Sequence, residues 1–348
     1  MEGKVRQWQT SGEVKDALGR VLRDLRISVI DRCNYRCPYC MPAEIYGESF
    51  EWLPRQHWLT PGEIKRLAGL FTQLGVNKLR ITGGEPLLRR DIVEIVAGLS
   101  AIPGIDDVAL TTNGTLLAER AQQLKEAGLK RITVSLDSMD ETVFSAMSGD
   151  RGELGSVLRG IEAAKAAGLT PIKINVVVQR GKNDHTVLDL LEHFRGTGVI
   201  VRFIEYMDVG TLNGWSLDEV VSSKQLVEMI SSRWALEPLE RNYRGEVAQR
   251  YGFVDGQGEV GFISSVSAPF CGDCHRGRLS ADGTIYTCLF ATQGTPLREV
   301  LRGGASDADI VGLLQNVWRN RADRYSELRG KATKRERISK VEMYRMGG

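Results

Sequence analysis

Along the first two thirds of the chain, short apolar runs rich in β-branched residues alternate with longer runs that have one apolar and one polar face. The strand-like runs are Leu25–Ile30, Lys78–Thr82, Asp107–Thr111, Arg131–Leu136, Ile172–Val178 and Val199–Ile204. Helical runs lie between them at Asp91–Ala101, Leu116–Ala127, Leu154–Ala167 and Asp184–Arg195, and another begins at Thr60-Pro61-Gly62-Glu63. That last tetrad supplies an N-cap, a proline at the first helical position and an acid in the first turn. Strand–helix repetition of this length implies parallel strands, and right-handed crossovers carry the helices to the outside. Six units are present, fewer than the eight of a closed barrel. The predicted fold class is α/β, a partial (βα)6 TIM-like barrel open on one side.

From about Leu239 the pattern changes. Val247–Val254, Glu259–Ile263, Arg278–Leu279 and Thr284–Cys288, with Asp255-Gly256, Gln257-Gly258 and Asp282-Gly283 between them, predict short antiparallel strands and turns. Helical patterns resume at Pro296–Leu301 and Asp307–Arg321. This smaller C-terminal region is expected to cover the barrel's open side, and the polar, basic segment Lys331–Gly348 is expected to be extended.

The chain has 348 residues, of which 42% are hydrophobic and 26% charged, the balance of a globular protein. A formal net charge of +2 argues against a broad nucleic-acid-binding surface, so anions must be met by a few placed Arg or Lys residues. The start, Met1-Glu2-Gly3-Lys4-Val5-Arg6, lacks a signal peptide's apolar core, and no stretch reaches membrane-spanning length. The expected address is cytoplasmic, where thiols stay reduced, and this favours metal binding over disulfides for the cysteines.

Six cysteines fall in two triplets, Cys33-x3-Cys37-x2-Cys40 and Cys271-x2-Cys274-x13-Cys288. A closed structural metal site takes four protein ligands. Two sets of three therefore imply two centres, each with one position left for something other than cysteine. The first triplet follows strand one directly, at the face where β/α barrels collect their active sites. Three thiolates so close together hold zinc or an iron–sulfur cluster. Zinc would need a fourth ligand such as His57, and none of the four histidines stands inside the loop.

The loop Cys33-Asn34-Tyr35-Arg36-Cys37-Pro38-Tyr39-Cys40 resembles the CxxxCxxC loop of radical S-adenosylmethionine (SAM) enzymes. The resemblance implies a [4Fe–4S] cluster on these three cysteines, with its fourth iron chelating SAM, and a SAM contact at Tyr39. Thr82-Gly83-Gly84-Glu85-Pro86 after strand two resembles the family's SAM-contacting motif, which implies Gly84 and Glu85. Ser135 at the end of strand four and Met207 after strand six match further SAM positions, while Thr111, closing strand three, matches a GTP position. Each of these reads alone as a turn or a core residue.

The second triplet resembles the C-terminal auxiliary-cluster motif of the GTP 3′,8-cyclases of molybdenum cofactor biosynthesis, which implies a second [4Fe–4S] cluster on Cys271, Cys274 and Cys288 facing the guanine. Between those cysteines, Arg276-Gly277-Arg278 offers two guanidinium forks to a triphosphate. Cations also occur inside predicted strands, at Arg26, Arg80, Lys173 and Arg202. Strands covered by helices are normally apolar, and an inward cation is costly unless it meets an anion. The alternative at each position is a side chain that snorkels outward or pairs with an acid. All four match GTP-binding positions of the cyclases.

On this resemblance the chain divides into a radical SAM partial barrel (1–238), an auxiliary-cluster region (239–330) and a tail (331–348) whose Gly347-Gly348 end reaches the active site. The implied enzyme is a lyase that uses a SAM-derived radical to convert GTP to (8S)-3′,8-cyclo-7,8-dihydroguanosine 5′-triphosphate. Its implied partners are GTP, SAM, an electron donor and cyclic pyranopterin monophosphate synthase downstream, without nucleic acid or membrane, and with a homodimer left open. Two other readings stay open here: a peptide-modifying radical SAM enzyme, which would give the strand-borne cations no purpose, and a structural zinc module.

Overall fold

A computed structural model describes residues 13–329 and 339–347. The first dozen residues, the beginning of the predicted tail and Gly348 lie outside the described residues. The barrel half runs β1 (Asp24–Ser28), α1 (Pro61–Thr72), β2 (Lys78–Thr82), α2 (Ile92–Ser100), β3 (Asp107–Thr112), α3 (Leu117–Glu126) and β4 (Arg131–Ser135). It continues with α4 (Glu141–Ser148), α5 (Leu154–Ala166), β5 (Ile172–Val178), α6 (Val187–Phe194) and β6 (Ile200–Glu205). Then follow α7 (Ser223–Ser231), β7 (Leu236–Leu239), β8 (Gln249–Phe253), β9 (Glu259–Ile263), β10 (Arg276–Leu279), β11 (Thr284–Tyr286) and β12 (Thr295–Pro296). The chain closes with α8 (Arg298–Arg302), α9 (Asp307–Arg319), α10 (Tyr325–Leu328) and α11 (Met343–Met346).

All twelve strands form one sheet in the order β12-β11-β10-β1-β2-β3-β4-β5-β6-β9-β8-β7. The six predicted strands pair in parallel with their neighbours, and no pairing joins β12 to β7 among the described residues, so the barrel stays open. In β1, β2 and β5 burial alternates: Leu25, Ile27, Leu79, Ile81, Ile174 and Val176 pack outward against the helices at 0–1% exposure. The residues between them face a cavity instead of a packed centre. This explains why these strands alternate although both faces of a covered parallel sheet are usually apolar.

The expected antiparallel character of the C-terminal strands holds within β7-β8-β9 and β10-β11-β12, but not where they meet the barrel. There β10 runs parallel to β1, and β9 parallel to β6. An open barrel leaves unpaired N–H and C=O groups at both edges, and the C-terminal region completes them from either side. It therefore extends the sheet at both ends as well as covering its opening.

The predicted start of α1 is a full capping box: Thr60 Oγ1 accepts from Glu63 N, and Glu63 Oε2 accepts from Thr60 N. Helices α4, α7 and α10 and strands β7 and β12 were not predicted; α4 is a short helix inserted in the β4–β5 crossover, capped by Asp140. The described part of the tail is not wholly extended, since it turns into α11 with Tyr344 and Met346 buried. No helix among the described residues is long and apolar enough to cross a membrane.

Glu205, at the end of β6, is fully buried and ties the two halves together. It accepts from Ser223 N, Val266 N and Ser267 N at 2.7–2.8 Å, and from the Ser267 hydroxyl. Glu205→Leu would leave the buried Ser223 N–H and the part-buried Val266 and Ser267 N–H groups without this acceptor, at roughly 1–3 kcal/mol each. A loss of at least about 3 kcal/mol in denaturant unfolding is expected, and a variant as stable as the parent would refute the account.

Candidate active site

Three predicted features meet above the first strands. The cysteine loop leaves β1 and is held by the buried Arg36, whose guanidinium donates to the carbonyls of Cys33, Tyr35 and Tyr46 at 2.6–2.8 Å. The loop after β2 lies directly on it: Gly84 N donates to Ile30 O, and Glu85 N donates to Arg32 O. A Cβ on Gly84 would stand 2.2 Å from Arg32 O. Glycine is needed here because backbone meets the cysteine loop, whatever a ligand later requires.

Glu85 is engaged within the protein. Its carboxylate accepts from Leu87 N, the Thr112 hydroxyl and Asn113 N at 2.7–2.9 Å, joining the loops after β2 and β3. Burial outweighs those donors and pushes its pKa up to about 7. Across the cavity, Asp137 accepts from the Tyr39 hydroxyl at 2.7 Å and from Val177 N at 2.8 Å, and burial again dominates, raising it to about 6. The Tyr39–Asp137 bond fixes the ring beside Cys40.

One cavity of about 610 Å3 is lined by all six cysteines. It also takes in Tyr39, Gly84, Glu85, Ser135 and Met207 of the SAM set. Of the GTP set, Arg26, Arg80, Thr111, Lys173, Arg202, Arg276 and Arg278 line it. Gly277 does not: strand alternation turns its Cα to Leu22, Leu25 and Ile285. His57, the fourth ligand of the zinc reading, is not on this wall either.

The inward cations are poorly answered. Among the described residues Arg26, Lys173 and Arg278 have no acidic partner within ion-pair distance. Arg80 reaches only the Thr111 and Thr133 hydroxyls, at 3.4 and 3.3 Å. Burial, then the neighbouring positive charges, pushes Lys173 down to about 8 and lowers Arg26, Arg80, Arg202 and Arg278. Guanidinium groups do not give up their proton in proteins, so the strain is relieved by an anion and not by neutralisation. Lys78 and Arg131 also line the cavity and were missed. They share strand parity with Arg80 and Thr133, and that signal was available in the sequence. Arg131 pairs with Asp107, and Lys78 Nζ lies 3.5 Å from the Tyr243 ring centre.

The second triplet reaches this cavity because β10 pairs with β1, setting Arg276 beside Asp24 and Arg278 beside Arg26. The tail enters from the other side. Lys340 pairs with Asp208, Val341 N donates to Ala291 O, and Tyr344 packs edge-on against Tyr46 at 5.1 Å. Gly347 follows with φ +71°, so close to Ser28 and Thr82 that a Cβ would stand 1.8 Å from Thr82 Oγ1.

The donor chemistry suits iron–sulfur clusters: six free thiols, three on the loop after β1 and three flanking the β10–β11 hairpin, on a wall shared with the SAM-type residues. Burial, then Glu85, pushes Cys33 up to about 12; burial, then Cys33 and Cys40, raises Cys37. Burial opposes ionisation of Cys274 too, yet Arg276, Arg321 and Arg278 bring it down to about 5. The donors are not closed into a cage, for no three such side chains among the described residues converge as placed to hold a metal ion.

An open parallel barrel with a Cys-x3-Cys-x2-Cys loop after its first strand defines a radical SAM protein, and residues 27–194 match the radical SAM superfamily. Streptococcus suis SuiB bound to S-adenosylmethionine shares the fold at a TM-score of 0.55 and 18% identity, over 90% of this chain and 69% of that one. Residues 199–327 match the family described as Molybdenum Cofactor Synthesis C. The chain is 54% identical to the GTP 3′,8-cyclase of Xanthomonas axonopodis pv. citri over 96% of its own length and 99% of the relative's. It is 45% identical to that of Staphylococcus saprophyticus, over 97% and 99%. The chain belongs to the GTP 3′,8-cyclase family.

The raised carboxyls set a pH dependence. Between an ordinary 4.5 and about 7, the folded chain keeps a proton on Glu85 that the unfolded chain has released. Stability therefore falls as pH rises through that interval and levels off above it, at about 1.4 kcal/mol per pK unit at most. Denaturant midpoints at pH 5 and 7 should differ in this sense, and Glu85→Gln should flatten the difference. A slope unchanged by Glu85→Gln would assign it elsewhere.

Proposed function

We propose that this chain carries out the cyclase reaction in one cavity with two ends, SAM at the first triplet and GTP at the second. As a radical SAM GTP 3′,8-cyclase it converts GTP to (8S)-3′,8-cyclo-7,8-dihydroguanosine 5′-triphosphate in molybdenum cofactor biosynthesis, releasing 5′-deoxyadenosine and methionine, and acts as a lyase. When bound, the [4Fe–4S] cluster of Cys33, Cys37 and Cys40 together with SAM supplies the radical that takes hydrogen from the ribose. A second [4Fe–4S] cluster on Cys271, Cys274 and Cys288 belongs to this proposal, as do the roles that follow.

The chain's own work is positioning. Tyr39, held by Asp137, and Gly84, Glu85, Ser135 and Met207 form the SAM side. Arg26, Arg80, Thr111, Lys173, Arg202, Arg276 and Arg278 form the GTP side, with Gly277 contributing backbone alone. The observation that carries the reading is the set of cations on the same cavity wall as both triplets. Four negative charges on a triphosphate answer this wall, whereas a peptide substrate gives the cations no partner. An external electron donor and cyclic pyranopterin monophosphate synthase complete the pathway role.

Anaerobic iron and sulfide analysis, with product analysis on GTP plus SAM, tests the reading. Two clusters per chain and GTP-dependent cyclised product are expected; zinc without iron, or no product from GTP, would sink it. Arg276 Nη2 lies 3.3 Å from Cys274 Sγ, so Arg278 gives the cleaner variant. Arg278→Ala or Arg26→Ala should raise KM for GTP roughly 10- to 100-fold, the worth of a hydrogen bond between charged groups, with cluster content unchanged. An unaltered KM in both would remove the triphosphate role.

A further inference from the structure

Three backbone carbonyls mark out the second triplet: those of Cys271, Cys274 and Thr287, the last directly before Cys288. All three accept from two buried guanidinium groups. Arg20 Nη1 donates to Cys271 O at 2.7 Å and to Asp323 O at 2.8 Å. Arg321 donates from Nη1 to Cys274 O at 2.8 Å and from Nε to Thr287 O at 3.0 Å. Asp16 joins the two, its Oδ2 meeting Arg20 Nε at 2.6 Å and Arg321 Nη1 at 2.9 Å. Trp318 closes the arrangement by donating from Nε1 to Arg20 O, with its ring 4.6 Å from the Arg321 guanidinium.

The side chains of Asp16, Arg20 and Arg321 are 0%, 3% and 1% exposed. Two arginines share one buried bridging aspartate, the part-exposed Asp323 carboxylate lies 3.6 Å from Arg321 Nε, and desolvating such a group is costly. Beyond Asp16 and Asp323, the guanidinium donors end on peptide carbonyls at or next to the ligand-bearing positions. Asp16 and Arg20 precede β1 and Arg321 follows α9, so the triplet is fastened by both ends of the chain.

Resting on the reading that the second triplet holds a cluster, we propose that Asp16, Arg20 and Arg321 are its positioning residues. They fix the three ligand-bearing segments relative to one another, and Arg321 sets its own positive charge beside Cys274. That charge favours the more negative, reduced form and raises the cluster's reduction potential.

The test uses the full chain, anaerobically reconstituted, as parent, Arg321→Gln, Arg321→Lys and Asp16→Asn. Iron and sulfide per chain, the spectroscopic signal of each cluster and their midpoint potentials are the readouts. Arg321→Gln is expected to lose much of the second cluster, with the remainder at lower potential, while the first cluster keeps its signal and potential. Arg321→Lys keeps the charge without the fork, so it should lose cluster with a smaller shift in potential. Asp16→Asn retains an oxygen for the Leu18 and Arg20 backbone N–H groups, and so guards against an Arg321 variant that does not fold. Variants with both clusters at parental potentials overturn the proposal, as does parallel loss of both clusters, which is the mark of a purely structural network. A parent chain with a single cluster overturns the second-cluster reading itself, and the proposal with it.

Discussion

A barrel that points arginine and lysine inward from adjacent strands is unstable if its centre is a packed core. Here Arg26, Arg80, Lys173 and Arg202 face inward, and acids answer only part of that charge. The sheet copes by not closing. Six parallel strands and two parallel additions leave a gap, and side chains of alternate parity surround space where a closed barrel would stack aliphatic layers. The remaining repulsion stays on the cavity wall. A net charge of +2 conceals this, because the excess is concentrated on one wall.

An open barrel has two raw edges, and the way they are covered decides where the second triplet goes. Had the C-terminal region simply lain across the mouth, its cysteines would face the cavity from a distance set by loops. Pairing β10 with β1 instead makes Arg276 and Arg278 part of the same ladder as Asp24 and Arg26. The cysteines on either side of β10 inherit that register. Buried arginines then serve both triplets alike: Arg36 holds the carbonyls of the first loop, Arg20 and Arg321 those of the second. Guanidinium suits the task because one planar fork reaches several carbonyls at once.

Local signals in the sequence translated well. The six strands, the capped start of α1 and the cysteine loop each depend on spacing within a few residues, and the structure places them where periodicity puts them. Lys78 and Arg131 were legible by strand parity, since they share it with Arg80 and Thr133. Other features have no local signature. The parallel pairing of β10 with β1 and of β9 with β6 depends on long-range register, and Asp16 meets Arg321 across 305 positions. Gly277 shows the opposite limit: a motif places it between two inward arginines, while alternation along the strand turns it away. The tail's helical turn follows from burying Tyr344 among Tyr46, Phe50 and Trp52, a packing partnership that polarity alone does not announce.

The β1–β10 ladder also has a consequence in time. On the ribosome, β1 emerges about 250 residues before the strand that completes its outer edge. At ~5–20 residues per second that is an interval of tens of seconds. Throughout it the first cysteine loop already stands on strands that can pair with one another, while the second has no wall to stand on. Pairings of such separation form late, after the loop-closure entropy between them has been met. The two cysteine triplets therefore find their places in order, Cys33, Cys37 and Cys40 first. The end carrying Cys271, Cys274 and Cys288 is the last part of the cavity to exist, and it depends on the first strand having been kept free to receive it.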